Sequence, residues 1–141
     1  MQIRLASETD LEQLHVLFDQ FRQSCGQESH LSASREFIKA RLQENDSVIF
    51  IALEGTIVIG FIQLYPSYSS LLLKPVWFFD DVYVMPEFRG GGVATSLKAK
   101  AKELALDADV VPVTRVRVEG AADVAILAQD KVQMYLYHSV E

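Results

Sequence analysis

A chain of 141 residues, half of them hydrophobic and 23% charged, is long enough to bury a core as one domain, 1–141, and too apolar for a disordered tail. A net charge of −6 without any run of Lys and Arg argues against nucleic acid or an anionic membrane as partner, because phosphate binding needs clustered cations. The single cysteine, Cys25, excludes a disulfide framework or multi-cysteine metal site, and Met1–Leu5 lacks a signal-peptide core, so the expected location is cytoplasmic.

Residues 2–5 read as a short strand. Ser7 with Asp10, and Thr9 with Glu12, are overlapping helix-capping signals. Behind them Leu11, Leu14, Leu17, Phe18 and Phe21 recur at helical spacing, which predicts an amphipathic helix to about residue 23. Gly26 and its polar neighbours interrupt it, and a second helix is predicted over 34–44, with Phe37, Ile38 and Leu42 on its apolar side. Segments 47–53 and 56–65 are rich in β-branched and aromatic residues, and Glu54-Gly55 between them signals a two-residue hairpin. Pro66–Ser70 reads as a loop, and a third strand over 76–84 precedes Met85-Pro86, where proline stops pairing. Gly90-Gly91-Gly92 opens a helix over 93–106, Asp107–Asp109 breaks it, and 113–118 reads as a strand with a helical tail behind it. The order βααβββαβ plus a C-terminal helix makes a mixed α/β fold around one sheet.

The turn Arg89-Gly90-Gly91-Gly92-Val93-Ala94-Thr95 lies between a strand and a helix. Glycines permit positive φ and let a ligand approach the main chain, while the helix behind them begins with unpaired N–H groups that suit phosphate oxygens. Arg89 adds a charged donor and Thr95 a hydroxyl; a turn that uses glycine for geometry alone is the plain alternative. A P-loop would need Lys and Ser or Thr after the last glycine, where Val93-Ala94 stands. A dinucleotide fingerprint belongs in the first turn of a βαβ unit, whereas this turn lies deep in the chain behind a hairpin.

Asp80-Asp81-Val82-Tyr83-Val84-Met85-Pro86-Glu87-Phe88-Arg89-Gly90-Gly91-Gly92-Val93-Ala94 resembles the acyl-CoA-binding motif of the GNAT N-acetyltransferases, with Arg89, Gly92 and Ala94 at its defining positions. The resemblance extends over roughly residues 1–118 and implies the GNAT fold, acetyl-CoA as co-substrate and acetyl transfer to a small-molecule or peptide amine. It implies that backbone N–H groups of Arg89, Gly90, Gly91, Gly92, Val93, Ala94 and Thr95 hold the pyrophosphate. Val82, Tyr83 and Val84 would pair with the pantetheine arm beside a splayed neighbour strand. Dimers are common in the family, which suggests a homodimer here.

Amine acylation needs a base. Family members carry an acidic residue where Asp80 or Asp81 stands, and strand alternation would send the two to opposite faces. Both remain candidates, as does a role for both in solvating the strand start. The family also takes a proton for the leaving thiolate from a tyrosine in a helix after the fifth strand. Asp130–Tyr137 matches that spacing and nominates Tyr137, against Tyr135 or a packed tyrosine. The family continues beyond the position of Glu141 into further strands, so the last strands look missing or altered. That departure supports a second reading, a diverged CoA-binding domain that acts as a sensor or partner subunit. Tyr65-Pro66-Ser67-Tyr68 would line the acceptor pocket by analogy. His15 reads as helix surface, Cys25 as an idle thiol, Trp77–Phe79 as core, and His30 and His138 lack metal-ligand spacing.

Overall fold

The computed structural model describes residues 1–115 and 137–139, with backbone alone at Asp80, Arg115 and Tyr137–Ser139. Six strands form one sheet in chain order: β1 (Gln2–Leu5), β2 (Val48–Glu54), β3 (Ile57–Ser69), β4 (Lys74–Val84), β5 (Val111–Arg115) and β6 (Tyr137–Ser139). Neighbours are antiparallel except β4 and β5, the one parallel pair, and the crossover that a parallel pair requires is a helix, α3 (Val93–Asp107). Helices α1 (Leu11–Ser24) and α2 (Leu31–Glu44) cover the opposite face.

Strand alternation builds the two half-cores. Ile49, Ile51 and Leu53 of β2 pack with Leu14, Leu17 and Phe18 of α1, while Phe50 and Ala52 face α3. A central strand covered on both sides is therefore apolar throughout. On α3 the buried positions are Val93, Leu97, Ala101 and Ala105, four residues apart, and the two alanines let the helix lie near the sheet. Gly60 completes that approach: a Cβ there would sit 3.0 Å from the Tyr83 carbonyl oxygen and 3.5 Å from Leu97 Cδ1.

The expected capping box forms, with the Ser7 N–H donating to Asp10 Oδ2 at 2.8 Å. Three boundaries differ from expectation for local reasons. Helix α2 starts at Leu31, because the His30 imidazole accepts the Ala33 N–H at 3.2 Å and caps it earlier. The two-residue turn is Gly55-Thr56, with Gly55 at φ 60°, since Glu54 still pairs with Ile57. Strand β3 runs on through Pro66, which was expected in a loop, and pairs it with Trp77. Pairing to β2 ends at Leu64, so the far edge of β3 has no neighbour among the described residues and the missing proline N–H costs nothing there. At the tip of this long hairpin Leu71, Leu72 and Leu73 are exposed.

The C-terminal helix expected after β5 falls within 116–136, outside the described residues. Tyr137, expected in that helix, lies in β6 opposite Arg115. The edge of β5 that faces away from β4 offers unpaired backbone groups, and β6 satisfies them. No helix among the described residues is long and apolar enough to cross a membrane.

A buried carboxylate joins α1 to α2. Asp19, 1% exposed, accepts the Ser29 hydroxyl at 2.6 Å, the Ser34 hydroxyl at 2.7 Å, the His30 N–H at 2.8 Å and the Gln23 amide at 3.1 Å. Burial alone would raise its pKa, but these donors and the Arg22 charge outweigh it and hold the carboxyl at about 2. Replacing Asp19 with Ala strands those donors, and the expected loss is about 3 kcal/mol in a denaturant titration at neutral pH. Because the folded-state pKa is depressed, this contribution is present above the ordinary carboxyl value of 3.8 and disappears as the pH falls through about 2. The gap between parent and Asp19→Ala stabilities should narrow over that acidic window.

Candidate active site

The site begins with a miscount between two strands. From Gln63↔Asp81 to Tyr65↔Phe78, β3 advances two residues and β4 three, so Phe79 and Asp80 together oppose Leu64 as a β-bulge. Phe79 and Val82 consequently face α3, three positions apart, while Tyr83 faces α1 and α2. The alternation expected to separate Asp80 from Asp81 is interrupted at this bulge.

Beyond it no pairing of β4 with β5 is made among the described residues. The two share Val76↔Val111, Trp77↔Pro112 and Phe78↔Val113; then Thr114 and Arg115 pair with β6, and Asp81–Val84 pair with β3. The Met85 N–H serves β3 by bonding the Ile59 carbonyl at 2.8 Å. By backbone alternation Tyr83 also serves β3, and Val82 and Val84 turn their N–H and C=O groups to the other edge.

Pro86–Phe88 then makes a 3₁₀ turn, and the Arg89 N–H donates to the Pro86 carbonyl at 3.3 Å. The first helical bond of α3 runs from the Ser96 N–H to the Gly92 carbonyl at 2.9 Å. Between them the N–H groups of Gly90 through Thr95 have no partner among the described residues. Gly90 and Gly92 both sit at φ 84°, and a Cβ on either would meet nothing within 4 Å, so conformation and not space calls for glycine. Gly91 lies outside the positive-φ region.

All the residues expected around the cofactor except Gly91 line one open cavity of about 520 Å³, completed by Ser24 of α1 and Phe88. Arg89 is more than a charge at its rim. Its Nε donates to the Val84 carbonyl at 2.8 Å, and its guanidinium lies 5.1 Å from the centre of the Tyr83 ring. It therefore braces the end of β4 against the turn.

Asp81 stands directly before Val82, on the side of the sheet away from α3. Gln63 Nε2 reaches its Oδ2 at 3.4 Å, and the Ser47 hydroxyl donates to Gln63 Oε1 at 2.9 Å. Burial pushes the Tyr65 hydroxyl well above the ordinary phenol value, and the charge of Asp81 and the hydrogen bond to it push the same way. Tyr65 is thus a protonated donor to that carboxylate. Tyr68, expected beside it in an acceptor pocket, is 85% exposed at the hairpin end.

The backbone of Tyr137 is placed by β6, and Asp80 by the bulge; their side chains lie outside the described atoms. His15 bonds the Leu11 carbonyl of its own helix at 3.0 Å, and Cys25 is exposed. Among the described residues no group of three His, Cys, Asp or Glu is arranged for a metal. Gln63, Ser47 and Ser24 were not anticipated. Gln63 carries a readable signal, a lone amide in the apolar run Ile57–Leu64, whereas Ser47 and Ser24 carry none.

Residues 11–126 match the model of the Acetyltransferase (GNAT) family. A Bacillus subtilis (strain 168) protein named as the uncharacterized N-acetyltransferase YhfO is 40% identical over 105 residues, 74% of this chain and 70% of its own. A Mus musculus thialysine N-epsilon-acetyltransferase is 37% identical over 54 residues, 38% of this chain and 31% of its own. The crystal structure of a probable acetyltransferase superposes with a TM-score of 0.76 at 39% identity, over 96% of this chain and 88% of that one. The mixed sheet that parts between β4 and β5, the glycine turn and the family match over most of the chain lead to one conclusion: this chain belongs to the GNAT acetyltransferase family.

Proposed function

We propose that this chain transfers the acetyl group of acetyl-CoA to the primary amine of a small, cationic, lysine-like acceptor. The observation that carries the reading is the run of N–H groups from Gly90 to Thr95, unpaired among the described residues, which opens on the same cavity as the outward-turned N–H groups of Val82 and Val84 on β4. A pyrophosphate suits the first, with the dipole of α3 behind it, and the amide-bearing pantetheine arm suits the second. The lysine-like acceptor is supported by the Asp81 carboxylate, the net charge of −6 and the relative named for thialysine.

The chemistry follows from those parts. A lysine-like amine has a pKa near 10.4, so presenting it neutral at pH 7 costs about 4–5 kcal/mol. Asp81 takes that proton, and the nitrogen lone pair attacks the thioester carbonyl carbon. The C–N bond forms, and an N–H of the β4 edge stabilises the oxyanion. Collapse breaks the C–S bond and releases CoA thiolate. The acylated nitrogen gives up its second proton as the neutral amide forms, and that proton converts the thiolate to the CoA thiol. Tyr137, whose backbone lies in β6, is the proposed carrier of that proton to the thiolate, with water as the other route.

Calorimetric titration with acetyl-CoA, followed by thiol release in the presence of lysine-like amines, tests the proposal. Micromolar binding and amine-dependent thiol release are expected. Binding without release from any amine would replace it with a CoA-binding module that does not catalyse; absence of binding would remove the cofactor altogether. The replacement Asp81→Asn should lower kcat by about a hundredfold or more and leave acetyl-CoA affinity unchanged. Gly92→Ala must adopt φ 84° with a side chain, and acetyl-CoA affinity should fall about tenfold. Gly91→Ala, at an ordinary φ, should bind within about twofold of the parent.

A further inference from the structure

Gln63 sits where a leucine would suit the core. It is 0% exposed in a central strand, and burying an amide costs free energy unless its hydrogen bonds are made. They are made in one direction: the Ser47 hydroxyl donates to its oxygen, and its nitrogen reaches toward the Asp81 carboxylate. Tyr65, two residues along β3 and separated from Gln63 by the register shift of the bulge, bonds the same carboxylate. Two groups of β3 thus converge on one half-buried acid, and Ser47 from the turn before β2 holds one of them, just past the last β4–β5 pairing among the described residues.

We infer that Gln63 and Tyr65 are positioning residues, which hold the Asp81 carboxylate ionised and in one orientation beside the gap between β4 and β5. The inference rests on Asp81 as the proton acceptor proposed above. Two neutral donors fix the carboxylate plane and favour its anion, so the acid stays charged for an ammonium group and still accepts a proton from it. Among the described residues the charged groups that act on Tyr65 beside Asp81 are Arg41 of α2 and Asp46 of the α2–β2 turn, ion-paired with each other at 2.9 Å so that their fields largely cancel, and Asp80 stands next in sequence on β4.

The test is the titration of Asp81, followed by carbon NMR in protein labelled at aspartate and assigned by the signal missing from Asp81→Asn. Hydrogen bonds donated to the anion lower its pKa, so Tyr65→Phe and Gln63→Leu should each move the midpoint up by about one unit. The acid limb of kcat/KM should move with it, kcat should fall about tenfold, and the KM for acetyl-CoA should stay at the parent value. Ser47→Ala, one step further from the carboxylate, should move the midpoint less than either. A midpoint unchanged in both folded variants, even with lowered thermal stability, would make Gln63 and Tyr65 structural only and overturn the inference. An Asp81→Asn enzyme that turns over like the parent would sink the proton-acceptor reading and the inference with it, whereas an inactive Asp81→Asn with unmoved midpoints sinks the inference alone. Tyr65→Phe removes one oxygen from a largely buried ring, so it remains a fair test where Gln63→Leu disturbs the core.

Discussion

Among the described residues β4 pairs with β5 at Val76–Phe78 and not beyond, and the pairing stops where the extra residue at Phe79–Asp80 bends β4 along β3. A parallel pair that stays together would bury the backbone groups of Val82 and Val84 in a ladder. Parting leaves them as the wall of a slot, and it leaves the crossover helix to begin at the slot's end with its own N–H groups unspent. The close approach of α3 at Gly60 keeps that helix start level with the strand end. One inserted residue thereby determines where two independent sets of backbone donors meet.

Two carboxylates, Asp19 and Asp81, sit in contrasting surroundings. Asp19 is enclosed by donors from the α1–α2 connection and the start of α2, so it is locked as an anion and has little capacity left for a proton at working pH. Asp81 is half-buried and gripped by an amide and a phenol at the edge of a gap. The first holds the α1–α2 connection beside the cavity that Ser24 lines; the second is open to solvent on one side. The difference lies in the access of solvent, not in the residue type.

The glycine turn and the strand before it were legible because everything they do is local: positive φ, missing Cβ atoms and a helix start are all written within Val82–Thr95. The helices and most strand cores were equally plain from their periods. What failed to show was whatever depends on a neighbour. Pro66 reads as a loop until the open edge of β3 beside it is known. The bulge is invisible in β4 alone, since it is a difference in count between β4 and β3. The grip on Asp81 joins Ser47, Gln63 and Tyr65 from separate segments, and only the isolated amide in an apolar strand hinted at it. Tyr137 matched a helical motif by spacing, while the vacant edge of β5 took it into a strand.

Arg89 illustrates how a charge at the rim of a turn is also a mechanical part. Its Nε closes onto the Val84 carbonyl and its plane rests over Tyr83, so the side chain works as a strut between the strand end and the glycine turn. Lysine at that position would keep the positive field but lacks the planar fork that makes both contacts at once. Charge-preserving and charge-removing exchanges at this one residue would therefore converge on the same outcome, a slackened slot, and ionic strength would do little to tell them apart.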